Sequence, residues 1–288
     1  MKKYKLLLIF LASILKAQTN SSIYFLAPVV DSFELSVKVF IKESIDIQNN
    51  VHYIYEYTII STQPDAQPIK IFEIPWFAKY SLSGLYHYHK GDTSYSKLGY
   101  PTISKRASWI KLHILPLETI PGFIFISKEI PDISYWYAEG EPVDTFLRVP
   151  ILFGEEYEDT LEKYYYNKTP FGPGKYGYTV GPGPYPPMKP IWPWGHYPDS
   201  AFIHLRDRLE KCKEQGWVTQ HAFEEIKRII GHALNHLQQG RLEQSKRTLT
   251  RLMETLERLK GQEKITEEAF YILYYRTKYV RDNLWYNP

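Results

Sequence analysis

The chain has 288 residues, 44% hydrophobic and 23% charged, and Cys212 is its single cysteine, so an intrachain disulfide is excluded and the fold must rest on packing. Its formal charge is +3, but Lys2, Lys3, Lys5 and Lys16 all fall in the first 17 residues; beyond them 31 Lys and Arg face 32 Asp and Glu, about −1. That balance argues against a nucleic acid or an anionic membrane surface as partner, because phosphate binding needs clustered, uncompensated cations.

Residues 1–17 read MKKYKLLLIFLASILKA: a positive start, an apolar run from Leu6 to Leu15, and the small Ala17 ahead of Gln18. The run is about ten residues long against the roughly 20 that a bilayer span requires, which predicts a removable signal peptide and not an anchor. No later stretch is apolar enough to span a membrane. The mature chain is therefore expected in an extracytoplasmic place, secreted or periplasmic.

From Ser21 to about Glu155 the pattern has period two. In VHYIYEYTIIS the residues Val51, Tyr53, Tyr55, Tyr57 and Ile59 share one face and the intervening ones the other, as a strand requires. Further strands are expected at 33–41, 69–74, 109–115, 123–127, 134–137 and 146–149, with turn clusters between them and no helical period. Such strands favour an all-β antiparallel sandwich of immunoglobulin-like architecture over a parallel sheet, whose long crossovers have no helices to make them. Residues 156–198 carry Pro and Gly every few positions and are expected to be an aromatic linker in which neither a helix nor a ladder propagates.

After Asp199 the period becomes 3.6. Four amphipathic helices are expected over 199–288, forming an all-α antiparallel bundle: the first near 200–215, closed by Gly216; the second capped by Thr219 and ended by Gly240; the third closed by Gly261; the fourth capped by Thr266, with Glu267 and Glu268 in its first turn. With its own apolar stripes the bundle is expected to fold without the sandwich, and the Pro-rich segment before it predicts few contacts between the two. The order of Gly216 and Val218, Ala233, Leu237 and Gly240, then Leu249, Met253, Leu256 and Gly261, then Ile265, Ala269 and Leu273 resembles the FIMAH domain found at the C-termini of secreted bacterial proteins. The resemblance implies an accessory module on an exported protein and supplies no catalytic residues. The segment PGFIFISKEIPDISYWYAEGEP more loosely resembles β-domains that travel with such modules.

No motif has the spacing of a catalytic, cofactor or metal site. His232 and His236 are four apart on a helix, but Ala233 stands where a zincin carries Glu and no third ligand is evident. His87 and His89 could share a strand face, yet they supply two ligands only. Glu155, Glu156, Glu158 and Asp159 lack the glycine turn of a calcium loop. Cys212 lies in a helix stripe, where burial makes a thiol inert. The compositional oddity is aromatic: 25 tyrosines, and a concentration of Tyr176, Tyr178, Tyr185, Trp192, Trp194 and Tyr197 in the linker. Aromatic faces stack on sugars and on proteins, so Trp109, Trp136, Trp192 and Trp194 are the candidate ligand-binding residues. The expected function is that of an exported, non-catalytic binding or assembly protein with a protein or glycan partner outside the cytoplasm; the alternative is a carbohydrate-binding or carbohydrate-active protein using the sandwich face.

Overall fold

A computed structural model describes residues 24–75, 87–89, 106–109, 112–150, 169, 172–186 and 198–284. Among the described residues ten strands precede four helices. The strands are β1 (Tyr24–Val29), β2 (Leu35–Ile45), β3 (Val51–Ser61), β4 (Ile69–Pro75), β5 (His87–His89), β6 (Arg106–Trp109), β7 (Thr119–Ser127), β8 (Ile130–Gly140), β9 (Val143–Pro150) and β10 (Lys175–Gly183). The helices are α1 (Pro198–Glu214), α2 (Gln220–Gln238), α3 (Leu242–Gly261) and α4 (Glu267–Asn283).

Two four-stranded sheets, ordered β2-β3-β7-β5 and β10-β8-β4-β6, make the sandwich, and β1 pairs with β9 beside them. All these pairings are antiparallel. The alternation read in β3 sets the core: Tyr53, Tyr55, Tyr57 and Ile59 all point inward and are buried. Tyr55 stacks on Phe125 with ring centroids 4.8 Å apart, and Phe72 bridges to Trp109 (5.6 Å) and Phe123 (5.5 Å). A buried phenol needs a partner for its hydroxyl. Tyr55 donates to Glu129 O at 2.9 Å, and Tyr57 donates across the sandwich to Val180 O at 2.7 Å.

The strand expected at 109–115 is β6, ending at Trp109, followed by an isolated bridge from Ile114 to Ile69. More consequentially, a ladder does form inside the expected linker: β10 pairs with β8 over all nine of its residues, from Lys175↔Ala138 to Gly183↔Ile130. Proline is tolerated on an edge strand, and β10 is the edge of its sheet. Its glycines have a positive role as well. A Cβ on Gly177 would lie 2.7 Å from the Trp136 indole, so the strand can approach the indole only where no side chain intervenes. Gly177→Ala is therefore expected to lower the melting temperature, and thermal denaturation checks it.

The helices follow the expected caps. Thr219 and Thr266 have extended backbones and accept, through their side chains, from Ala222 N and Ala269 N. Replacing either threonine by Ala is expected to cost about 1 kcal/mol, measurable by urea titration. Gly216 and Gly240, each with φ near 73°, close α1 and α2. Gly261 instead remains helical, and Glu263 takes the left-handed position after α3. The bundle core contains Phe202, Leu205, Leu209, Ile226, Ile230 and Leu256, each at most 1% exposed.

The two layers do not stand apart as the Pro-rich segment suggested. Helix α4 packs on β2, β8 and β10, so it lies over strands of both sheets, among them an edge strand of each. Tyr275 meets Tyr53 edge-on at 5.2 Å and donates to Ile41 O, Tyr279 lies 4.6 Å from Tyr185, and Lys278 bonds both Glu43 oxygens at 2.6 Å. The expectation of few coupling contacts fails because α4 is buried on two sides, toward the bundle and toward the sandwich.

Candidate functional site

At the centre of that junction stands Arg276, which is 0% exposed. A buried guanidinium is sustained only when its charge and its donors are matched. Its Nη2 pairs with Asp132 Oδ2 at 2.9 Å, its Nε donates to Pro131 O at 2.9 Å and its Nη1 to Pro184 O at 3.2 Å. Arg208 of α1 reaches the same carboxylate, Nε to Oδ1 at 2.6 Å. Burial pushes the Arg276 guanidinium down to about 10, opposed by Asp132, so it stays charged at neutral pH. Asp132 thus joins one residue of the sandwich to two helices of the bundle.

His204 completes the cluster, its Nδ1 3.4 Å from Arg276 Nη1. Burial first, then Arg276 and Arg208, pull its imidazole down to about 4 from 6.5, against the opposite pull of Asp132 and Asp207. The unfolded chain therefore binds a proton at this residue that the folded chain refuses between those two values. The contribution to stability is complete above about 6.5 and is lost as the pH falls toward about 4. His204→Gln is expected to flatten that part of the stability curve, as thermal melts between pH 7 and pH 4 would register.

The outward face of the β8–β10 pair is of another kind. The register sets Tyr178 opposite Tyr135 and Tyr176 opposite Tyr137, so these four tyrosines project from one side of the sheet. Tyr176 and Tyr178 are 43% and 44% exposed. The Tyr135 ring lies 4.9 Å from that of Tyr178 and 6.0 Å from that of Tyr176. Tyr137 is buried beneath, donating to Glu139 Oε1 at 2.5 Å and accepting from Gly174 N at 3.0 Å. The face is therefore a braced row of phenols, open at two of its rings.

The tryptophans singled out from sequence do not supply an exposed face. Trp109 is packed in the core between Phe72 and Phe123, and Trp136 lies against Gly177 on the inner side of β10. Trp192 and Trp194 fall outside the described residues, as do residues 1–23 and the acidic run Glu155 to Asp159. Cys212 is buried and its thiol is pushed up to about 12 by that burial, consistent with an inert packing residue. Among the described residues no group of three or more His, Cys, Asp or Glu is placed to hold a metal, and His232 is exposed on α2. The side chains of His87 and His89 are not among those described. An open groove of about 560 Å³ on the bundle is lined by His221, Glu224, Glu225, Arg228 and Arg258, where Arg258 already pairs with Glu225 at 2.6 Å.

Residues 202–282 match the family model of the FIMAH domain. The match takes in all of α2 and α3, most of α1 and all but the last residue of α4, so Arg208 and Arg276 lie within the matched bundle while Asp132 belongs to the β-domain that precedes it. No curated protein matches the chain. Among the described residues no helix is long and apolar enough to cross a membrane.

Proposed function

We propose that this is an exported, non-catalytic binding or assembly protein, in which the sandwich presents the contact surface and the FIMAH bundle braces it. The observation that carries the reading is the tyrosine row on the outer face of β8 and β10: rigid aromatic residues with polar tips provide contact area at low entropic cost. Exposed phenols at Tyr176 and Tyr178 fit a surface that meets another molecule. The bracing role rests on the Asp132 junction, which ties β8 itself to α1 and α4. Export is supported by the reading of residues 1–17 as a signal peptide and by the occurrence of the FIMAH domain in bacterial surface proteins.

The test is an activity panel of glycosidase, esterase and peptidase substrates run on the full chain. No turnover is expected. Turnover that disappears when one particular carboxylate or serine is replaced would overturn the non-catalytic reading.

A further inference from the structure

The composition of the tyrosine row narrows what it could hold. Its exposed rings are phenols and not aliphatic side chains, and Glu139, on the same side of β8, has one carboxylate oxygen engaged by Tyr137. Such a surface combines flat apolar faces with hydroxyl and carboxylate groups at their margins. A ligand that is itself apolar on its ring faces and rich in hydroxyls at its edges matches that pattern. On the same side of the sheet Val180 is buried and Ile133 partly so, which leaves the phenols of Tyr176 and Tyr178 as the most exposed rings of this face.

Rigidity points the same way. Tyr176 and Tyr178 flank Gly177, whose missing side chain lets the Trp136 indole press on the strand from the inner side. The Tyr135 ring packs against both Tyr178, at 4.9 Å, and Tyr176, at 6.0 Å, and so ties the row across the two strands. Little ordering is left for a ligand to impose, and preorganised aromatic contacts hold affinity that a mobile surface would lose. The row also runs along the strands, with Tyr176 and Tyr178 about 7 Å apart by strand geometry, and forms a track open at its sides instead of a closed pocket. Addition of a peptide strand to the neighbouring edge is opposed by Lys175 and Pro182 within β10 itself, since lysine and proline blunt such edges.

We propose that the outer face of β8 and β10 is a glycan-binding track, with Tyr135, Tyr176 and Tyr178 stacking on the pyranose rings of an oligosaccharide chain and Glu139 accepting from its hydroxyls. This inference rests on the binding reading above and names the ligand class of the same surface. Cellohexaose, chitohexaose, xylohexaose and mannohexaose, titrated calorimetrically into the full chain, are the probes. Measurable binding of at least one is expected, weakened about tenfold by Tyr178→Ala and further by Tyr176→Ala with Tyr178→Ala, the loss of one stacked ring being worth about one decade. Ile47→Ser, at a fully exposed hairpin position remote from the row in sequence, should leave the affinity unchanged, and circular dichroism of each variant should match the parent. Absence of binding to all four chains, or binding that the tyrosine variants do not weaken, overturns the glycan assignment. A protein captured through Tyr176 and Tyr178 in place of a glycan would also overturn it while leaving the non-catalytic binding reading standing, because that reading falls only on the activity panel.

Discussion

Asp132→Ala is expected to destabilise the chain by about 3–5 kcal/mol, since removing one partner of a buried ion pair leaves uncompensated charge. Here it would leave two guanidinium groups, Arg276 fully buried and Arg208 largely so, facing each other without the carboxylate between them. Pro131 O and Pro184 O would still accept from Arg276, but carbonyl dipoles do not neutralise a cation. A fall in melting temperature of roughly 10 °C or more should follow for a chain of this size. The control is the charge-free triple replacement Asp132→Leu, Arg208→Met, Arg276→Met. It should cost much less than Asp132→Ala, because most of the loss is the stranded charge and not the missing attraction.

Ile230→Asp is the second large effect. Ile230 is 0% exposed in the bundle core, and an aspartate there must ionise in an apolar setting or open the helices to water. A loss of roughly 5 kcal/mol is expected, comparable with the whole stability of an ordinary domain. The helical circular dichroism signal of the isolated bundle, residues 198–284, should collapse. The same replacement at Leu234 should be milder, because Leu234 is only partly buried at the margin of the α2 stripe. Urea titration of both variants ranks them, and equal losses would show that the α2 stripe is wider than the packing indicates.

These contrasts also mark what could be read from sequence. The alternation of β3 and the Thr219 and Thr266 caps were legible because they are local: each depends on residues within a few positions of one another. Strand β10 was hidden because proline and glycine are breakers in general, and its ladder is stabilised by what lies opposite, the Trp136 indole under Gly177 and the Tyr57 hydroxyl on Val180 O. Helix α4 was legible as a helix but not as a junction. A helix covered on two sides has no single apolar stripe, so nothing local marks the buried Arg276 or the half-buried Tyr275 as the side turned toward the sandwich. Trp109 and Trp136 were misplaced for a related reason. Period two assigns residues to alternate faces of a strand without saying which face is the core, and the exposed face fell to Tyr176 and Tyr178, in a segment expected to have no ladder.

The Asp132 junction is expected to make the sandwich and the FIMAH bundle unfold together, although the bundle has a core of its own. Differential scanning calorimetry of the full chain beside the isolated 198–284 fragment tests it most directly. One transition is expected for the chain, with a calorimetric enthalpy equal to the van't Hoff enthalpy, and a lower melting temperature for the fragment alone. Two separate transitions in the chain, one of them coinciding with that of the fragment, would contradict it.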